Sequence, residues 1–138
     1  MESRTEREER MKRLTIAATL ILAGVIGYGV AAHAQPAGGG KADPVKVDPK
    51  HYKVEFENEN VRVLRISYGP GEKSVMHYHP NAVAVYLTDG MTHMTTPDGK
   101  SQDMPTKAGG TTWTAAGSHL PQNVGNKPFE LILVELKK

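Results

Sequence analysis

His77 and His79 stand two residues apart in the segment Met76-His77-Tyr78-His79, which reads as strand. Side chains on a strand alternate between faces, so both imidazoles leave the same face, about 6.5 Å apart along the backbone, and can converge on one ion. Neutral imidazole suits divalent transition metals, so the chemistry to expect is metal binding with coordination positions left open. Other candidates are weaker. Met91, His93 and Met94 form a short soft-ligand cluster of the kind that selects Cu(I), with core packing as the alternative. His93 is otherwise a lone histidine, His51 lies at the edge of a linker, and Trp113, the single Trp, reads as a core or rim residue. There is no Gly-rich phosphate loop, no nucleophile elbow and no basic recognition element.

The elements that must position these side chains begin at His51. Short runs rich in Val, Ile, Leu, Thr and aromatics are cut at about ten-residue intervals by turn signals. Strands are expected over residues 52–57, 61–68, 74–79, 81–87, 91–96, 100–106, 111–114, 118–124 and 129–136. Asp89-Gly90 reads as a hairpin turn and Pro97-Asp98-Gly99 as the next turn. This pattern, without helical periodicity, predicts a small all-β sandwich or barrel. In the last strand Phe129, Leu131 and Leu133 alternate with Ile132, Val134 and Leu136, so both faces call for burial. A barrel interior covers one face, and a homodimer is expected to cover the other.

The first third of the 138 residues has a different character. Residues 14–32 are an apolar run rich in Ala, Leu, Ile and Gly, preceded by Lys12-Arg13 and followed by Ala32-His33-Ala34, which fits a signal-peptide cleavage site. We expect residues 1–34 to be a signal peptide cleaved before Gln35, with Met11 a simpler translation start than Met1. The alternative is an uncleaved membrane anchor. Residues 35–50, rich in Pro and Gly, read as a flexible linker, and residues 51–138 as the domain. The location expected is periplasmic or secreted, with no stable membrane span after cleavage. The chain has no cysteine, so no disulfide can assist it in an oxidising compartment. Beyond residue 13, twelve Lys and Arg face eleven Asp and Glu, which argues against nucleic acid as a partner.

The block from Gly71 through His77, His79 and Val83 to Gly90 resembles the first motif of the cupin superfamily: Gly, five residues, His-x-His, three or four residues, Glu, six residues, Gly. Residues 109–123, with His119 and Asn123, are similar to the second motif, although Ala115 replaces its Pro and one residue rather than two separates Gly117 from His119. The resemblance covers residues 52–136 and implies a cupin-type double-stranded β-helix, a jelly-roll barrel. It implies His77, His79 and His119 as ligands of a divalent transition metal such as Fe, Mn, Ni, Zn or Cu. Val83 departs from the pattern, standing where metal-binding cupins usually carry a ligating Glu. Neither Asp89 nor Glu72 is placed to replace it, so the expected site has three neutral imidazoles and an uncompensated ion charge, loosely held and favouring an anionic ligand. Its affinity should fall below pH about 6.5, where free imidazole takes a proton.

Val83, Val85 and Leu87 share a strand face and are expected to line the pocket. The function expected is an exported small cupin that binds a metal and a small organic, anionic molecule. If enzymatic, the all-His set resembles the thiol and diketone dioxygenases of that superfamily. No residue is assigned a catalytic role; Tyr78, His93 and Gln122 are the only polar candidates. The alternative functions are a noncatalytic small-molecule or metal-sensing module, and an interaction domain with no ligand.

Overall fold

A computed structural model describes residues 41–138. The expected signal peptide, its cleavage point and residues 35–40 lie outside the described residues. Among those described, no helix is long and apolar enough to cross a membrane.

One short helix, α1 (Pro44–Val47), precedes nine strands: β1 (Tyr52–Glu57), β2 (Val61–Tyr68), β3 (His77–His79), β4 (Ala82–Tyr86), β5 (Gly90–Thr95), β6 (Ser101–Thr106), β7 (Thr111–Thr114), β8 (Gly117–Asn123) and β9 (Phe129–Leu136). They form two antiparallel sheets, ordered β1-β2-β9-β4-β7 and β3-β8-β5-β6. The strand positions follow the runs read from the sequence. The connection at Asp89-Gly90 does not, because β4 and β5 belong to different sheets, so it is a crossover rather than a hairpin. Asp89 anchors that crossover by accepting from Lys107 Nζ at 2.8 Å and from the Ala108 N–H at 2.9 Å. Pro97-Asp98-Gly99 does close a hairpin, with the Thr96 N–H donating to the Lys100 carbonyl at 2.8 Å.

The sheets share an interior built from strict alternation. On β2 the residues Leu64, Ile66 and Tyr68 are buried, and on β9 Phe129, Leu131 and Leu133 are buried. Burying each such side chain stabilises the barrel by about 1.5–3 kcal/mol. Arg62 and Glu135 occupy the same inward parity and face each other directly in the β2–β9 register. The outward face of the five-stranded sheet is also apolar: Phe56, Val63, Val134, Val83 and Trp113 form a row across all five strands. Its ends, Phe56 and Trp113, are 54% and 57% exposed.

The expectation of a flexible linker reaching Lys50 needs correction. Asp43 caps α1, its carboxylate accepting from the Val45 N–H at 3.1 Å, and Pro44 at the first helical position has its φ set in advance. Pro44 and Asp48 are buried, and the Tyr78 N–H donates to the Ala42 carbonyl at 2.9 Å. Residues 42–50 therefore pack as part of the folded unit.

Gly90 has a packing reason for carrying no side chain. A Cβ there would stand 2.3 Å from Phe129 Cδ2, inside the core. Gly90→Ala should displace the Phe129 ring and cost about 1–3 kcal/mol, read as a lower midpoint in thermal or urea unfolding.

Candidate metal centre

β3 pairs with β8 so that His77 lies directly opposite His119, while His79 projects two residues along from the same face. The three rings stand 4.8, 4.9 and 5.1 Å apart, centroid to centroid. One ligand nitrogen from each lies within 4.8 Å of the others, and His77 and His79 are each 1% exposed. Among the described residues this is the group able to hold an ion.

Hydrogen bonds behind the rings set their tautomers. His77 Nδ1–H donates to the Val75 carbonyl at 2.7 Å, and His79 Nδ1–H donates to Glu135 Oε1 at 2.6 Å. Each Nε2 is then left with a lone pair, and the two Nε2 atoms stand 3.0 Å apart. Two buried acceptors facing each other want a cation between them, and the Nδ1 hydrogen bonds orient both ligands as metal-binding histidines are oriented. The donor set fits a divalent ion with three neutral nitrogen ligands and open positions.

The carboxylate that the sequence lacked at position 83 is present elsewhere. Glu135 is 1% exposed and accepts from His79 on one oxygen and from Arg62 Nε on the other, at 2.5 Å. Arg62 Nη1 in turn donates to both oxygens of Asp43 at 3.1 Å. Burial pushes the Glu135 carboxyl up, but the His79 and Arg62 hydrogen bonds outweigh it and hold the group below its ordinary range. Behind His79, two carboxylates and one guanidinium thus carry a net charge of −1. An ion held there would therefore have its charge partly offset from behind His79 rather than left wholly uncompensated. The signal was in the sequence: a Glu on the inward parity of β9 and an Arg on the inward parity of β2, both where apolar residues are the rule.

Val83, Val85 and Leu87 are not walls of the cavity. The β4 residues lining it are Ala84 and Tyr86, because the inward parity of β4 is even, and Leu87 is 40% exposed. Even a carboxylate at position 83 would therefore leave the outer face of the sheet. Ala82, opposite Glu135 across the β4–β9 register and fully buried, presents only a methyl and leaves the Glu135 carboxylate free to reach His79.

The cavity beside His79 and His119 has a volume of about 300 Å³ and is mostly apolar, with Met94, Met104, Phe129 and Leu131 among its walls. Tyr52 and Tyr68 also line it, their hydroxyls 2.5 Å apart and engaged with each other. Thr92 Oγ1, on a residue 4% exposed, is the buried side-chain atom without a hydrogen-bond partner among the described residues.

The remaining candidates separate. Met94 lines the cavity, whereas His93 on the opposite face of β5 pairs with Asp103 at 2.6 Å and Met91 is 37% exposed, so strand parity divides the expected soft-ligand cluster. Trp113 borders the cavity with most of its surface outside. Tyr78 turns away from the histidines beneath Lys41 Nζ, 4.8 Å from its ring centre, and Gln122 is tied to the Gly71 carbonyl at 3.4 Å. His51 is a structural residue, held by both oxygens of Asp48 at 2.8 Å and stacked on Tyr68.

No protein-family model matches the sequence, and no curated protein does either. Solved structures do. A cupin domain from Bordetella pertussis Tohama I superposes with a TM-score of 0.59 at 27% identity, over 63% of this chain and 92% of that one. This chain has the cupin fold. An uncharacterised conserved protein with a double-stranded β-helix domain from Klebsiella pneumoniae matches with a TM-score of 0.51 at 20% identity, over 70% of this chain and 83% of that one. The cupin barrel accounts for how β3 and β8, far apart in sequence, deliver three histidines to one point.

Burial first, and the neighbouring histidines second, push His77 down to about 4 and His119 down to about 3. Between about pH 4 and 6.5 the unfolded chain therefore binds protons that the folded, metal-free chain does not. Its stability should be complete above pH about 6.5 and fall steadily as the pH drops towards 4, followed by urea unfolding across that range. At these two rings protons would compete with a metal near pH 4 for His77 and near pH 3 for His119, rather than near 6.5.

Proposed function

We propose that this cupin holds one divalent transition metal through His77, His79 and His119 and binds a small organic anion in the adjoining cavity. The observation that carries the reading is the pair of Nε2 lone pairs 3.0 Å apart, each fixed by a hydrogen bond at Nδ1. Three neutral ligands would keep the ion electrophilic, so an anionic group is favoured at the open positions. A cavity of about 300 Å³ is at the small end of ligand sites, and its apolar walls would accept a compact hydrocarbon body. The unpartnered hydroxyl of Thr92 offers that body one polar contact.

The enzymatic form of this reading is an Fe(II)-type dioxygenase. A bound ion would supply Lewis acidity and sites for both substrate and O₂. The protein contributes orientation, exclusion of water and fixed tautomers. Hydrolytic chemistry is less well supported, since both oxygens of the Glu135 carboxylate are engaged by His79 and Arg62. That engagement of the buried carboxylate favours a second reading, a noncatalytic module that binds or senses a small ligand.

Elemental analysis of the untagged protein, purified without chelator, should find about one metal per chain, and His77→Ala with His79→Ala should abolish it; unchanged metal content would refute the site. With Fe(II) loaded, oxygen uptake on adding chelating organic anions separates the readings, because a binding module consumes none.

We further propose export and pairing through the apolar row from Phe56 to Trp113. Mass spectrometry of protein recovered from cells should read a chain starting at Gln35, and light scattering at micromolar concentration should give twice its mass. A chain retaining residues 14–32 would reject cleavage, and a monomer would reject pairing.

A further inference from the structure

The segment ahead of β1 reaches the backs of two of the three histidines by separate routes. On one, Asp43 holds Arg62 at 3.1 Å, Arg62 holds Glu135 at 2.5 Å, and Glu135 holds His79 at 2.6 Å. On the other, Asp48 accepts from Ser74 Oγ at 2.5 Å, and that oxygen lies 3.4 Å from His77 Nδ1. Between the two routes, the Ala42 carbonyl accepts from the N–H of Tyr78, the residue separating the histidines. β3 is three residues long and lies at the edge of its sheet, paired only with β8. Its other side is met by this segment, with Pro44 buried beneath.

We propose that residues 42–48 are positioning residues of the metal centre, so that docking of this segment and binding of the metal strengthen each other. The inference rests on the metal-binding reading above. A histidine can bind an ion well only when its ring is held at the right angle with its proton on the far nitrogen, and groups that do this from behind alter affinity by about 10–100-fold. Here Asp43 fixes Arg62, and Arg62 fixes the carboxylate that orients His79. Coupling of this kind is reciprocal: whatever the docked segment adds to metal affinity, the metal adds to docking.

Asp43→Asn isolates the effect, because Asn caps a helix about as well as Asp and removes only the charge that Arg62 sees. The experiment uses Co(II) as the probe on the full chain, with two readouts: affinity from the visible absorption of the bound ion, and trypsin cleavage after the exposed Lys46 followed by mass spectrometry. Expected are slower cleavage after Lys46 when Co(II) is bound, and a 10-fold or greater loss of Co(II) affinity in Asp43→Asn with an unchanged far-UV circular dichroism spectrum without metal. Cleavage at the same rate with and without Co(II), together with unaltered affinity in the variant, would overturn the inference and leave residues 42–48 as a structural tether. If Asp43→Asn does not fold, the Co(II) dependence of cleavage in the unaltered chain decides alone. An unaltered chain that binds no Co(II) rejects the metal-binding reading itself, an outcome distinct from binding without coupling.

Discussion

The buried carboxylate of Glu135 is the constraint around which this barrel is arranged. A carboxylate removed from water is costly unless each oxygen is satisfied, and here one oxygen takes a guanidinium and the other an imidazole. Satisfying it requires β9 to lie between β2, which brings Arg62, and β4, which offers the methyl of Ala82 and nothing larger. It also requires His79 to turn its Nδ1 towards the five-stranded sheet, which leaves Nε2 towards His77. One polar group in an apolar interior therefore specifies strand register, histidine tautomer and the direction of the lone pairs.

The site divides its tasks between the two sheets. The four-stranded sheet carries all three histidines, on β3 and β8, while the five-stranded sheet carries Arg62 and Glu135, the charged pair that orients His79. Between the sheets the cavity is lined mostly by thioethers, aromatics and aliphatic side chains, with the histidines at one end and Thr92, Thr106, Thr112 and Thr114 as further polar groups in its walls. An ion placed there would feel a local dielectric much lower than water, which strengthens its pull on a bound anion.

Most of the fold was legible in the sequence because strand periodicity and turn chemistry are local signals. The runs at residues 52–57, 61–68, 111–114 and 129–136 match β1, β2, β7 and β9 in full. His77-x-His79 was legible for the same reason, since two residues on one strand face need no tertiary information. What failed depended on long-range facts. The inward parity of β4 is decided by its pairing with β9 and β7, which periodicity within an all-apolar run cannot reveal, so the sequence points to Val83 and Val85 as pocket walls where Ala84 and Tyr86 stand. The role of Glu135 is not legible in the sequence because its partners, His79 and Arg62, lie 56 and 73 residues away in the chain. Asp43-Pro44 was a readable helix start, hidden within a stretch whose Pro and Gly content suggested disorder.

Those separations also bear on how the molecule comes to be. The groups that define the centre are contributed by residues 43, 62, 77, 79, 119 and 135, so beyond the His77–His79 pair no early local contact can assemble it. Loop-closure entropy must be overcome for β2 to meet β9 and for β3 to meet β8 before either pairing is rewarded, which places folding in the slow, millisecond-to-second class of high-contact-order barrels. A metal present during folding would then meet the three histidines only in chains that have already closed.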